Sequence, residues 1–295
     1  MGPFEARETR RRLLAALAAA PLAGAAAPSS AQGRDGWPAI VESPGERRHG
    51  AWVWHDLVTR DADAAAAFYA RVFGWTIAPH GMPGGAYRLA SVNGRRVAGI
   101  VALRDGAQGA RPDPRWIGLM SVPDVDAAAR RATVAGAREL MAPTRLLGRG
   151  RAAVLTDPEG ATFGLLRSDD GDPGERTGEP GVWAWHELWV SDGTRMAAWY
   201  RELGNLTVRR LSTVGDRDEW VLAQGETPRA GIVEKANPAL PSAWLPYVRV
   251  ADLPATVREA AAAGGRVLLT PTESIRAGRT AILADPTGAP VGVLA

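Results

Sequence analysis

The alternation of apolar and polar positions first becomes regular at residues 51–59, AWVWHDLVT, which read as a strand rich in Trp and Val. Asp61 follows as a candidate N-cap for an Ala-rich helix running to about Phe73. Segments 86–92 and 95–102 flank Asn93-Gly94, a dipeptide suited to the positive φ angles of a tight hairpin. Arg115–Val122 is predicted as another strand and 124–136 as a second helix ending near Gly136. Strands near 138–142, 151–156 and 161–167 complete the pattern. The last two are joined by the turn Asp157-Pro158-Glu159-Gly160.

The whole pattern then recurs. Trp-Val-Trp-His-Asp-Leu at 52–57 returns as Trp-Ala-Trp-His-Glu-Leu at 183–188. Phe68-Tyr69 is answered by Trp199-Tyr200, and Ala98-Gly99-Ile100 by Ala230-Gly231-Ile232. Trp116 is answered by Trp244, and Asp157-Pro158-Glu159-Gly160 by Asp285-Pro286-Thr287-Gly288. So many matches in order, with little drift, identify a duplication. Between the copies, Asp169–Gly181 is rich in Gly, Pro and charge and has no apolar period, so it reads as a linker. This gives copies at 51–168 and 182–295. Each is built of two strand–helix–three-strand units with helices gathered on one side of mixed strands, an α+β class.

Composition narrows the possibilities. The 295 residues are 46% hydrophobic, enough for two domain cores, and no apolar run is long enough to cross a bilayer as a helix. Cysteine is absent, which excludes disulfides, thiolate metal sites and a cysteine nucleophile. Of the 35 basic residues only Lys235 is a lysine, and the net charge is +3. Residues 1–31 hold four Arg and two Glu, so the rest of the chain is nearly balanced and gives no electrostatic ground for nucleic-acid binding. Thr9-Arg10-Arg11-Arg12-Leu13-Leu14 fits the twin-arginine pattern and is followed by a Leu/Ala stretch to about Ala27, with Ser29-Ser30-Ala31 as a cleavage site. Residues 1–31 are therefore expected to be a Tat signal peptide engaging the Tat export machinery, and the product periplasmic or secreted. A short amphipathic helix is the other reading of this segment.

These landmarks resemble the vicinal oxygen chelate superfamily, which includes glyoxalase I, extradiol dioxygenases and bleomycin-resistance proteins. The resemblance rests on the strand ending in Asp61, Phe68-Tyr69, Phe73-Gly74-Trp75 and the Asp157-Pro158-Glu159-Gly160 hairpin. In the second copy it rests on Asp192, Trp199-Tyr200, Leu203-Gly204 and Asp285-Pro286-Thr287-Gly288. It implies two βαβββ units per copy, curled around a cleft in which His, Gln or Glu hold a divalent metal. The ligand positions that it implies fall on Trp54, Gly99, Ile117 and Gly164, and on Trp185, Gly231, Leu245 and Gly292. None of these ligates through its side chain, so no cofactor is expected. A divalent metal held by His55 or His186, one residue away from the ligand position, is the alternative, and it requires a bulge to turn the imidazole inward.

Strand alternation supplies the remaining candidates. With Trp54 and Asp56 facing the cleft, His55 and Leu57 face the helices; in the second copy Trp185, Glu187 and Trp189 face the cleft, with His186 behind. Trp54, Trp185, Trp189, Trp116 and Trp244 are candidates to line a pocket for a small molecule, with core packing as the other reading. Asp56 and Glu187 are candidates for a general base or a ligand anchor, with a buried pair to arginine as the other reading. No Gly-rich phosphate loop or Gly-x-Ser-x-Gly elbow is present. The sequence thus points to a metal-free binder of a small organic molecule. A metal-dependent lyase, isomerase or dioxygenase with a rearranged site, and a metal-free acid–base enzyme, stand as alternatives. A monomer is expected by analogy, because two copies in one chain can complete one another as single-domain relatives do by dimerising.

Overall fold

The computed structural model describes residues 36–80, 87–102, 113–175, 178–214, 217–273 and 275–295, with only the backbone described at 212–214 and 217. The expected signal peptide at 1–31 lies outside the described residues. The first copy comprises β1 (Trp52–Thr59), α1 (Ala62–Phe73), β2 (Thr76–Pro79), β3 (Tyr87–Val92), β4 (Arg95–Ala102), β5 (Arg115–Ser121), α2 (Val125–Val134), β6 (Arg138–Leu146), β7 (Gly150–Thr156) and β8 (Thr162–Ser168). The second comprises β9 (Trp183–Val190), α3 (Gly193–Gly204), β10 (Thr207–Val214), β11 (Arg217–Gln224), β12 (Thr227–Glu234), β13 (Ala243–Arg249), α4 (Leu253–Ala262), β14 (Arg266–Leu269), β15 (Thr280–Ala284) and β16 (Pro290–Leu294).

The four α-helices among the described residues open on an aspartate whose side chain accepts a backbone N–H of the first turn: Asp61, Asp124, Asp192 and Asp252, at 2.8–2.9 Å. Each such cap contributes about 1 kcal/mol. Helix α1 ends on Gly74 and α3 on Asn205, both left-handed, as a helix C-terminus favours. The short edge strand β2 is an element that the apolar pattern did not indicate.

Each copy forms one eight-stranded mixed sheet, in the order β2-β3-β4-β1-β5-β8-β7-β6 and β10-β11-β12-β9-β13-β16-β15-β14. The opening strand lies at the centre of each, parallel to the last strand of its own unit and antiparallel to the first strand of the next. The two helix-bearing faces are buried against one another. One apolar cluster joins Val125, Leu155 and Phe163 of the first copy to Leu188, Met196 and Tyr200 of the second. Another joins Leu57, Phe68 and Tyr69 to Val248, Leu253 and Val293. Polar contacts cross the same junction. Tyr200 donates to Asp157 Oδ2 at 3.0 Å, and Glu159 accepts the backbone N–H groups of Ser191 and Asp192, just ahead of α3. The opposite, concave faces carry separate clusters, one in each copy.

The segment between the copies is tied down despite its linker-like composition. Asp172 is buried, accepting Arg48 N and Ser121 Oγ, each at 2.6 Å.

Candidate functional site

In the first concave face, Asp56 sits at the centre of a closed polar network. Its Oδ1 accepts Trp54 Nε1 at 2.9 Å and the Tyr87 hydroxyl at 2.7 Å, and its Oδ2 accepts Arg149 at 2.7 Å. Arg149 also donates to the Tyr87 oxygen at 2.5 Å, and its side chain is wholly buried. Its guanidinium lies 4.7 Å from the Trp37 ring centroid and 5.3 Å from that of Trp54. Burial works against the charge on Arg149, but Asp56 and Tyr87 together outweigh it and raise its pKa. Burial pushes the Tyr87 phenol well up.

This network is capped by the chain's own N-terminal segment. Trp37, Ile40 and Val41 are buried in the concave cluster. Trp37 N donates to Leu147 O at 2.8 Å, and Arg96 donates to the carbonyls of Ala39 and Val41 at 2.8 and 2.9 Å. The lost charge–water contact of the Asp56–Arg149 pair is thus replaced by hydrogen bonds and aromatic faces.

The second concave face repeats the chemistry but leaves it open. Glu187 Oε2 accepts Trp189 Nε1 at 2.9 Å and the Tyr247 hydroxyl at 2.8 Å, and Oε1 pairs with Arg276. The Arg276 side chain is 40% exposed, against none of Arg149. Burial, then the Glu187 charge, pushes the Tyr247 phenol well up. Burial lowers Arg276, but Glu187, Tyr247 and Glu219 together outweigh it and raise its pKa. Trp185 matches Trp54 in the repeat, yet its buried Nε1 has no hydrogen-bond partner among the described residues. Leu245, Tyr247 and Ile282 are the buried apolar residues here, flanked by Trp185, Trp189, Leu269 and Leu294.

The two arginines and two tyrosines were not found from the sequence. Arg149 lies between Gly148 (φ 86°) and Gly150 (φ 136°), and that glycine-flanked bend is the one signal that could have marked it. Arg276 and Ala277 adopt φ of 48° and 52°, a left-handed conformation costly for residues with a Cβ. The sequence did not show that backbone.

The glycines at the implied ligand positions are crowded by their neighbours. A Cβ on Gly99 would lie 1.7 Å from the Tyr87 hydroxyl and 2.3 Å from Asp56 Oδ1. One on Gly164 would lie 2.8 Å from Leu119, one on Gly231 3.2 Å from Trp185 Nε1, and one on Gly292 2.2 Å from the Tyr247 ring. The space that ligand side chains would need is filled by neighbours. Among the described residues no group of three or more His, Asp or Glu is placed to hold a metal ion.

His55 and His186 meet behind the sheets. Their Nε2 atoms are 2.6 Å apart with rings nearly parallel, stacked between Trp183 and Trp52. Burial lowers both, His186 to about 3 and His55 well below its ordinary value, the latter also through His186. Both are therefore neutral near pH 7, one donating to the other. Neither is turned toward the carboxylate–arginine networks of the concave faces.

Trp116 and Trp244 require a correction: neither borders a concave face. Each pairs in register with a helix-facing leucine, Leu57 or Leu188, and so shares that side. Their indoles donate to the buried Tyr69 and Tyr200 hydroxyls at 2.9 and 2.8 Å.

The chain matches the glyoxalase-like domain family twice, over residues 52–166 and 187–294. It is 34% identical over 251 residues to CFP32 of Mycobacterium tuberculosis, provisionally named a glyoxylase, covering 84% of this chain and 96% of that one. It is 35% identical over 259 residues to the anthracycline biosynthesis protein DnrV of Streptomyces peucetius, covering 83% and 93%. The fold is similar to the Mn(II)-bound glyoxalase of Novosphingobium aromaticivorans, with TM-score 0.57, 15% identity and coverage of 83% and 82%. It is also similar to a variant of homoprotocatechuate 2,3-dioxygenase from B. fuscum, with TM-score 0.58, 12% identity and coverage of 89% and 74%. The sequence matches extend over most of the chain and its relatives alike, and the duplicated sheets agree with them: this chain belongs to the glyoxalase-like family of the vicinal oxygen chelate superfamily, with two such domains in tandem.

Proposed function

We propose that the chain binds a small organic molecule in the concave cleft of its second domain, without a resident metal, after Tat-dependent export. The observation that carries this reading is the contrast between the equivalent indoles. Trp54 Nε1 is used by Asp56 beneath the Trp37 cap, whereas Trp185 Nε1 has no partner among the described residues, in a domain whose carboxylate–arginine pair has an arginine that is 40% exposed. A buried donor without an acceptor is a cost that a ligand carbonyl or hydroxyl removes on binding. Glu187 already accepts from Trp189, Tyr247 and Arg276, which suits an anchor that orients a ligand better than a base that needs a free lone pair. The relatives named for anthracycline biosynthesis support an organic ligand.

The test is a thermal-shift screen of small carbonyl and aromatic compounds, followed by calorimetry on the hits. Trp185→Phe and Arg276→Gln are each expected to weaken binding about tenfold, the scale of one hydrogen bond, while Trp54→Phe leaves it unchanged. Hits indifferent to both second-domain substitutions overturn the cleft assignment. Metal analysis of protein purified without added metal is expected to find no stoichiometric divalent ion, and one ion per domain overturns the metal-free reading. For export, replacing Arg10 and Arg11 by Lys is expected to leave the protein in the cytoplasm; unchanged export overturns the Tat assignment.

A further inference from the structure

A cavity of about 370 Å³ lies at the junction of the two domains. Its walls come from both copies: the opening residues of β1, from Ala51 to His55, and those of β9, from Val182 to His186. Repeat-equivalent Trp52 and Trp183 are half-buried there, while the neighbouring rings of the same stack are buried. Each indole is held from behind, Trp52 against Trp244 at 4.4 Å and Trp183 against Trp116 at 5.0 Å between centroids. Fixed flat walls of this kind favour a flat ligand.

The polar lining points to its charge. Arg48, Arg96 and Arg229 border the cavity, with Glu175 as the acidic residue among them. The Glu175 carboxylate bridges Arg48 and Arg229, one guanidinium from each side of the junction, although its own side chain is 48% exposed. It marks a place where a carboxylate is gripped by two arginines. Three polar atoms of lining residues are buried without a hydrogen-bond partner among the described residues: Arg229 Nε, His55 Nδ1 and the Trp185 Nε1 already noted.

We propose that this junction is a second ligand site, shared by both domains and selective for a planar aromatic carboxylate. The ligand's ring lies against Trp52 and Trp183, and its carboxylate meets Arg48 and Arg229, displacing Glu175.

Calorimetry on the full chain with benzoate, phenylacetate and 1-naphthoate tests this, with 1-naphthamide as the uncharged comparison. Saturable binding of at least one carboxylate is expected, with 1-naphthamide at least tenfold weaker than 1-naphthoate. Arg229→Gln should weaken carboxylate binding at least tenfold. Glu175→Gln should tighten it several-fold by removing the internal competitor, a gain that misfolding cannot mimic. Arg276→Gln should leave it unchanged. No saturable binding of any of the three carboxylates, meaning that the cavity holds water only, overturns the proposal. So does equal affinity for the amide, or weaker binding on Glu175→Gln. Binding abolished by Arg276→Gln but not by Arg229→Gln places the ligand in the second-domain cleft and overturns this site while leaving that reading intact.

Discussion

Asp56 and Glu187 occupy the same place in the repeat but differ in what surrounds them, and that difference sets what each substitution costs. Removing the Arg149 guanidinium strands Asp56 in a site with almost no solvent. Arg149→Met is therefore expected to lower unfolding free energy by about 3–5 kcal/mol, the cost of an uncompensated buried charge. Adding Asp56→Asn should restore part of it. Arg276→Met should cost less than about 1 kcal/mol, because water takes over part of the role of a partner that is 40% exposed. Urea unfolding of the four variants checks this, and equal losses for the two arginines would contradict it. Both carboxylates were legible in the sequence because strand alternation fixes the side of the sheet that they face. Their arginines were not, because alternation says nothing about a residue delivered by a bend such as Gly148-Arg149-Gly150.

At the scale of elements, caps and turns were legible and the cover over the first cleft was not. The four capping aspartates and the Asn93-Gly94 hairpin are local devices, set by a few adjacent residues. The covering segment Trp37-Pro38-Ala39-Ile40-Val41 has no period, contains a proline and forms no regular element, so its burial depends on contacts far along the chain. Strand β2 escaped for a related reason: four residues, mostly exposed and ending in Pro79, carry no apolar signal. The cover can be tested as an element. Trp37→Ala removes a side chain that is 6% exposed and packs over Arg149. It should cost about 3 kcal/mol, the range for truncating a buried Trp. Amide exchange should quicken in 36–41 and 146–150 and stay unchanged in β9–β16. Acceleration spread over both domains would show that the segment supports the whole molecule rather than covering one cleft.

At the scale of the molecule, the duplication was plain in the sequence but the way in which the copies meet was not. The repeated Trp-x-Trp-His gave the position of each histidine on a strand, and only the packing of one helix-bearing face on the other brought His55 and His186 together. That contact makes the junction sensitive to acid. Both imidazoles are held neutral by burial, with folded-state values below 6.5, so the unfolded chain takes up protons first as the pH falls. Their contribution is complete above about pH 6.5 and is lost progressively below it, for His186 by up to about 2 kcal/mol by pH 5. Asp157, at the same junction, acts in the other direction. Burial raises it to about 6, so the folded chain takes up its proton first and gains stability as the pH falls from about 6 towards 4. Two histidines outweigh one aspartate, and a net loss of stability between pH 7 and pH 5 is expected. His55→Phe combined with His186→Phe should flatten this dependence, and Asp157→Asn should steepen it, whatever either does to stability at pH 7. Denaturant midpoints measured from pH 7.5 to pH 4.5 decide the matter, since the slope isolates protonation from packing. A wild-type slope unchanged in the double histidine variant would mean that the acid response arises away from the domain junction.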